Sequence, residues 1–142
     1  MQWLTRIREW WRRMRREKPL GERGEAAAAK FLRRLGYKIV GRQDRHRLGE
    51  IDIVAVDGQA VVFVEVKTRT SHDAGHPAES ITDDKQRRLT RVALSFLKRH
   101  GLLERPARFD VVAVTWEDQQ RPPTVEHYQN AFEAVGKGQM FS

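Results

Sequence analysis

Asp52, Glu65 and Lys67 are the residues of this chain whose types and spacing could do chemistry together. They stand on two β-branched runs, Ile51 to Val56 and Ala60 to Lys67, separated by Asp57-Gly58, the strongest short hairpin signal a sequence offers. With Asp57 and Gly58 as the two loop residues, Val56 faces Gln59, Asp52 faces Phe63 and Glu50 faces Glu65. Side chains alternate faces along a strand, so one face collects Ile51, Ile53, Ala55, Val62, Val64 and Val66 and reads as core. The other face carries Val54, Val56, Val61 and Phe63 near the turn, then Asp52, Glu65 and Lys67 at the far end. Asp52 and Glu65 become diagonal neighbours, roughly 5 to 8 Å apart at their β-carbons and close enough to share one metal ion.

Mg2+, or Mn2+ in its place, takes one or two carboxylates and fills its octahedron with waters and a substrate phosphate. Asp52 and Glu65 can supply the carboxylates, and the backbone carbonyl of Val66 a further ligand. Such an ion offsets charge on the phosphate and lowers the pKa of a bound water. Lys67, beside Glu65, could orient that water or stabilise the phosphate. The expected chemistry is phosphodiester hydrolysis. A solvated Glu-x-Lys pair on a strand is the bland alternative. A further carboxylate, Glu25, precedes Ala28, Ala29 and Leu32 by three, four and seven residues and so belongs to the apolar face of a helix. There it must be paired, hydrated or bound to metal, unless it is simply a helix-start carboxylate favoured by the dipole.

The elements that must position these groups follow from periodicity and stop signals. Gly21 to Leu35 has helical spacing, with Gly36 as the stop. Tyr37 to Val40 reads as a short strand followed by a polar loop through Gly49. Beyond the hairpin and a polar loop from Thr68 to Thr82, Thr82 can cap a helix to about His100, with Leu89, Val92, Ala93, Phe96 and Leu97 inward. Phe109 to Trp116 and Val125 to Tyr128 read as strands. The order is α-β-β-β-α-β-β, an α/β fold with a central mixed sheet flanked by helices. His72 and His76 have ligand spacing, but Gly75 and Pro77 argue against a helix there and against a zinc pair. Asp110, in an apolar strand, should pair with a basic residue, for which Arg108 looks unsuited.

Size and charge narrow the partners. The 142 residues fit one domain, and 27 Lys and Arg against 19 Asp and Glu leave +8, making a polyanion the default partner. Residues 1–18 form a basic amphipathic arm of net charge +5, with Trp3, Ile7, Trp10 and Met14 on one side; residues 19–135 are the domain and 136–142 a short tail. Arg12, Arg13, Arg15 and Arg16 in the arm, with Arg42, Arg45, Arg69 and Lys85 in the domain, are the candidate phosphate contacts. A solvated helix-start lysine is the plainer alternative for Lys85. The absence of cysteine excludes disulfides and thiolate metal sites, and the apolar runs are too short for a membrane span. A cytoplasmic protein is expected.

Gly49-Glu50-Ile51-Asp52-Ile53-Val54-Ala55 followed by Val62-Phe63-Val64-Glu65-Val66-Lys67-Thr68-Arg69 resembles the YraN-type uncharacterised bacterial family, whose fold is similar to restriction endonucleases and Holliday-junction resolvases. The resemblance extends through Gly24-Glu25, Gly36-Tyr37, Lys85, Arg108-Phe109-Asp110-Val111 and Asn130-Ala131-Phe132, roughly residues 21 to 133. It implies a restriction-endonuclease-like core in which Asp52, Glu65 and Lys67 match the metal-binding motif and Glu25 the first-helix acid of the resolvases. Ile51 stands where many such nucleases have proline before the aspartate, and Gln43 where the family commonly has asparagine. The leading expectation is a Mg2+-dependent endonuclease acting on DNA rather than RNA, branched DNA included, with a homodimer open because two-fold resolvases cut as dimers. The rivals are a nucleic-acid-binding module without turnover and a peripheral membrane or partner-docking protein using the arm.

Overall fold

The structure, a computed structural model, describes residues 2, 4–7, 20–46, 49–73 and 75–135, without the side chains of residues 44–46. Arg8, Arg12, Arg13, Arg15 and Arg16 of the arm, its Trp3, Trp10 and Met14, the side chain of Arg45 and the tail from residue 136 lie outside the described residues. Residues 4–7 are helical, and Ile7 is exposed.

The elements are α1 (Leu20–Arg34), β1 (Lys38–His46), β2 (Gly49–Asp57), β3 (Ala60–Arg69), a 3-10 turn (Pro77–Ser80), α2 (Asp83–Arg99), β4 (Ala107–Thr115) and β5 (Thr124–Phe132). They build one sheet in the order β1-β2-β3-β4-β5, with β3 and β4 parallel and the other pairs antiparallel. The α2 crossover joins the parallel pair, as parallel strands require. The α/β mixed sheet flanked by helices therefore stands as expected, and it is consistent with a restriction-endonuclease-like core. Among the described residues no helix is long and apolar enough to cross a membrane.

Both sheet faces are covered. Ala28, Ala29 and Leu32 of α1 pack on Ile53, Ala55, Val62, Val64, Val112 and Val114. Leu89, Val92, Ala93, Phe96 and Leu97 of α2, the inner face that its periodicity gave, pack on Val54, Val61, Phe63 and Val111. The second hairpin face is thus core as well, and Ile51 falls in the α2 cluster rather than beside Ile53. Covering a sheet on both sides makes its strands read as near-continuous apolar runs instead of alternating ones.

Three further expectations are corrected. The hairpin ladder closes with Asp57 opposite Ala60, so Gly58 and Gln59 form the loop and Gly58 adopts φ 60°. That two-residue shift preserves which side chains share a face. The polar stretch after Val40 is strand, because β1 runs to His46 as an edge whose backbone pairs without needing apolar side chains. It carries an irregularity between Ile39 and Gly41 and a left-handed Gln43 at φ 51°, a conformation that asparagine tolerates better. In the same way β5 continues past Tyr128 to Phe132.

The third concerns Asp110, which is fully buried and does pair with Arg108, at 3.0 Å from Nε to Oδ1. Residues two apart in the regular stretch of β4 beside β3 share a face. His127 Nε2 lies 2.8 Å from Oδ2, and the Asn130 N–H donates to Oδ1 at 2.9 Å. Burial opposes the charge, but His127 and Arg108 outweigh it and hold the carboxyl below its ordinary 3.8. A depressed folded value contributes stability above the unfolded value that is lost as pH falls through the folded one. Asp110→Ala should cost about 3 kcal/mol by chemical denaturation at neutral pH, less below pH 4; a loss independent of pH would mean packing rather than charge.

Candidate active site

The cleft forms where the hairpin comes apart. β2 pairs with β3 only as far as Ile53 and Val64, while β2 stays on β1 to Gly49 and β3 stays on β4 to Arg69. Asp52 and Glu65 are the next residues beyond the last pair, so they face each other across the opening. Val66 would lose a partner there, and a buried backbone N–H must find one. Its N–H donates to Asp52 Oδ2 at 2.9 Å, which fixes that carboxylate at the fork.

Helix α1 brings the third acid. Gly24 lets the helix lie on Thr68 of β3, since a β-carbon at this position would stand 1.8 Å from Thr68 Oγ1 and 3.0 Å from its Cβ. Glu25, next in the chain, is 9 % exposed and accepts from Gln43 Nε2 at 2.7 Å. It is the sixth residue of the helix, so the dipole reading of this carboxylate is set aside in favour of a site-facing one. Gly24→Val should lower stability by about 2 kcal/mol through forced repacking and shift Glu25 away from the cleft. Equal melting temperatures for variant and wild type would show that the close approach is dispensable.

Carboxylate oxygens of Glu25, Glu50 and Asp52 all lie within 4.8 Å of one another. Together with Glu65, Lys85, Arg88, Gly49, Leu89 and Val92 they line a cleft of about 410 Å³. Sequence reasoning did not single out Glu50; its signal was its place directly before Ile51-Asp52, on the strand that parts from β3. Glu65, 8 % exposed, is held by Lys85 at 2.5 Å and by Lys67 at 3.9 Å, both measured to Oε1. Lys85 is therefore no solvated helix-start lysine. Thr82 caps α2 by accepting from the Lys85 N–H, and that turn aims the side chain at the cleft.

Burial and then the charge of Glu65 push Asp52 up to about 8, with the Val66 N–H opposing and Glu25 adding to the rise. Burial and then Lys85 hold Lys67 below the usual lysine value, partly offset by Glu65. Burial would lower Lys85 too, but Glu65 outweighs it and holds that ammonium above the ordinary value. These groups act as one electrostatic unit.

The remaining candidates sit elsewhere. Arg42 is exposed and lines a neighbouring groove with Arg23, Gln43 and Trp116, where the Arg23 guanidinium lies 4.7 Å from the centre of the Trp116 ring. Arg69 bonds Thr115 and the Gly75 carbonyl. His72 contacts Glu117 and Glu126, whereas His76 caps the 3-10 turn and lies against the Tyr128 ring at a tilt of 59°. The two histidines thus have separate partners.

Residues 24–114 match the family model described as uncharacterised protein family UPF0102. This chain belongs to UPF0102. The match spans both hairpin acids, Glu25, Lys67 and Lys85, and UPF0102 is the YraN-type family that the motifs resemble. A UPF0102 protein of Rhodopirellula baltica is 46% identical over 146 residues, covering 94% of this chain and 87% of its own. UPF0102 proteins of Geobacter metallireducens and Geobacter sulfurreducens are 49% and 50% identical over 116 residues, each across 82% of this chain and 93% and 90% of their own.

Proposed function

We propose that this UPF0102 protein is a Mg2+- or Mn2+-dependent endonuclease that hydrolyses phosphodiester bonds in DNA, branched DNA included. The observation that carries the reading is the convergence of Glu25, Glu50 and Asp52 at the fork of β2 and β3, in a cleft that also presents Lys85 and Arg88. Hard oxygen donors at this spacing suit Mg2+ or Mn2+. The raised Asp52 pKa fits as well, since crowding of carboxylates is what a bound cation relieves.

Asp52 is the central ligand, with Glu25 and Glu50 beside it. Glu65 stands across the fork and would join only by loosening its Lys85 pair. A residue in an extended strand turns its N–H and C=O to the same edge, which keeps the Val66 carbonyl directed at the same gap. The ion would offset charge on the scissile phosphate and lower the pKa of a bound water. Arg88 and Lys85 draw the phosphate into the cleft, and Lys67 holds a donor beside Glu65 where the attacking water can be oriented. Arg42, Arg69, Arg45 and the arm arginines would carry the flanking backbone, and a homodimer would supply the second cut of a branched substrate.

The test is a cleavage assay over linear, flapped and four-way DNA with Mg2+, Mn2+ and EDTA. Metal-dependent nicking supports the reading, whereas binding without cleavage on every substrate favours a non-catalytic nucleic-acid-binding module. Lys67→Ala should lower turnover at least about tenfold with little change in affinity; equal losses in both would make Lys67 a phosphate contact.

A further inference from the structure

Lys85 stands in a place that simple helix electrostatics disfavours. It lies in the first turn of α2, after Asp83 and Asp84, where the partial positive charge of the helix terminus repels a cation. Its ammonium nevertheless reaches across to β3 and sits 2.5 Å from Glu65 Oε1, inside the cleft that holds Glu25, Glu50 and Asp52. Glu65 has Lys67 at 3.9 Å from the same oxygen. The carboxylates of the site therefore fall into two sets: three whose oxygens converge, and one already occupied by lysine.

We propose that Lys85 is a built-in cation that occupies the Glu65 half of the cleft, so that the centre takes one divalent ion per chain, on the Glu25, Glu50 and Asp52 side. This rests on the metal reading above and fixes its stoichiometry. The charges of the groups agree. Four carboxylates stand against Lys85, Lys67 and Arg88, leaving one formal negative charge among these residues. One divalent ion and one phosphodiester bring the cleft to neutrality, whereas two ions would leave two positive charges in a partly buried site, where uncompensated charge is costly. Lys85 is thus a positioning residue. It holds Glu65 against the wall and keeps it from recruiting a second ion.

The experiment is Mn2+ titration of the full chain without DNA, followed by calorimetry and by the paramagnetic resonance of free Mn2+. Wild type should bind one Mn2+; Lys85→Met, which keeps length and removes charge, should bind that ion more tightly. A second ion should enter once Lys67 is removed as well, at the same net charge that the wild type reaches with one. Because Lys67 can close on Glu65 once Lys85 is gone, the Lys67→Met/Lys85→Met double variant is measured alongside, with thermal melts to establish that both fold. Two ions on the wild type, unchanged affinity on Lys85→Met, or only one ion on the double variant overturns the proposal while leaving the metal centre in place. Failure of the wild type to bind any Mn2+ removes the metal reading and this inference together. Lys85→Arg should keep one ion at wild-type affinity if charge at this position is what excludes the second ion.

Discussion

Asp52→Asn should abolish metal-dependent cleavage, by at least roughly a hundredfold or about 3 kcal/mol of barrier, and yet melt at higher temperature than wild type in EDTA at pH 8. Both halves follow from the same crowding. Asp52 is pushed from 3.8 to about 8 in the folded protein by burial and by Glu65. Between those values the folded chain holds a proton that the unfolded chain has released, so wild-type stability without metal falls as pH rises from near 4 to near 8. Asparagine carries no charge to remove. Its amide oxygen can still accept the Val66 N–H that Asp52 Oδ2 now accepts at 2.9 Å, so the fork keeps its fastening. The variant should gain about 1 to 3 kcal/mol at pH 8 in EDTA, with a flattened pH profile. Millimolar Mg2+ should reverse the order by stabilising only the wild type. A variant that cleaves at the wild-type rate, or that Mg2+ stabilises as it does wild type, would show that the centre does not depend on Asp52.

Deleting residues 1–18 should weaken DNA binding and flatten its salt dependence, with little effect on the stability of the domain. The arm holds seven of the 27 basic residues and five units of the +8 charge. With about four phosphate contacts, the slope of log K against log salt shrinks by roughly 3 to 4, at about 0.9 per contact on duplex DNA. Its tryptophans would add about 1 to 3 kcal/mol each by stacking on unpaired bases, so the loss should be larger on flapped or four-way DNA than on duplex. An arm that docks on membranes forecasts the opposite. Its deletion would leave the DNA slope unchanged and abolish binding to anionic vesicles, so both titrations on one truncated protein decide between the two.

Much of this protein was legible in its sequence because the relevant signals are local. Thr82 before an amphipathic run marks the start of α2, and the run itself gives the buried Leu89, Val92, Ala93, Phe96 and Leu97. The period of two places Asp52, Glu65 and Lys67 together at the end of the hairpin, and a register error of two residues leaves that conclusion intact because faces repeat at that interval. Glu25 on the apolar side of α1 was visible for the same reason. Five of the eight net positive charges can be assigned to residues 1–18 by counting alone.

Tertiary structure alone decided the rest. Where β2 leaves β3 depends on competing pairings with β1 and β4, and no residue at Asp52 or Glu65 announces it. That fork is what adds Glu50 to the acids, turns Val66 toward Asp52 and moves Ile51 under α2. The edge strands β1 and β5 outran their apolar patterns because backbone pairing, supplied by a neighbour distant in sequence, needs no side-chain signature. Lys85 is 20 residues from Glu65, and Arg108 is 71 from Tyr37, so which carboxylate or hydroxyl each cation meets was set by the packing of helices and strands on one sheet. Sequence determines which faces a chain can bury and which charges it carries; only the closed fold determines which of those charges must face one another.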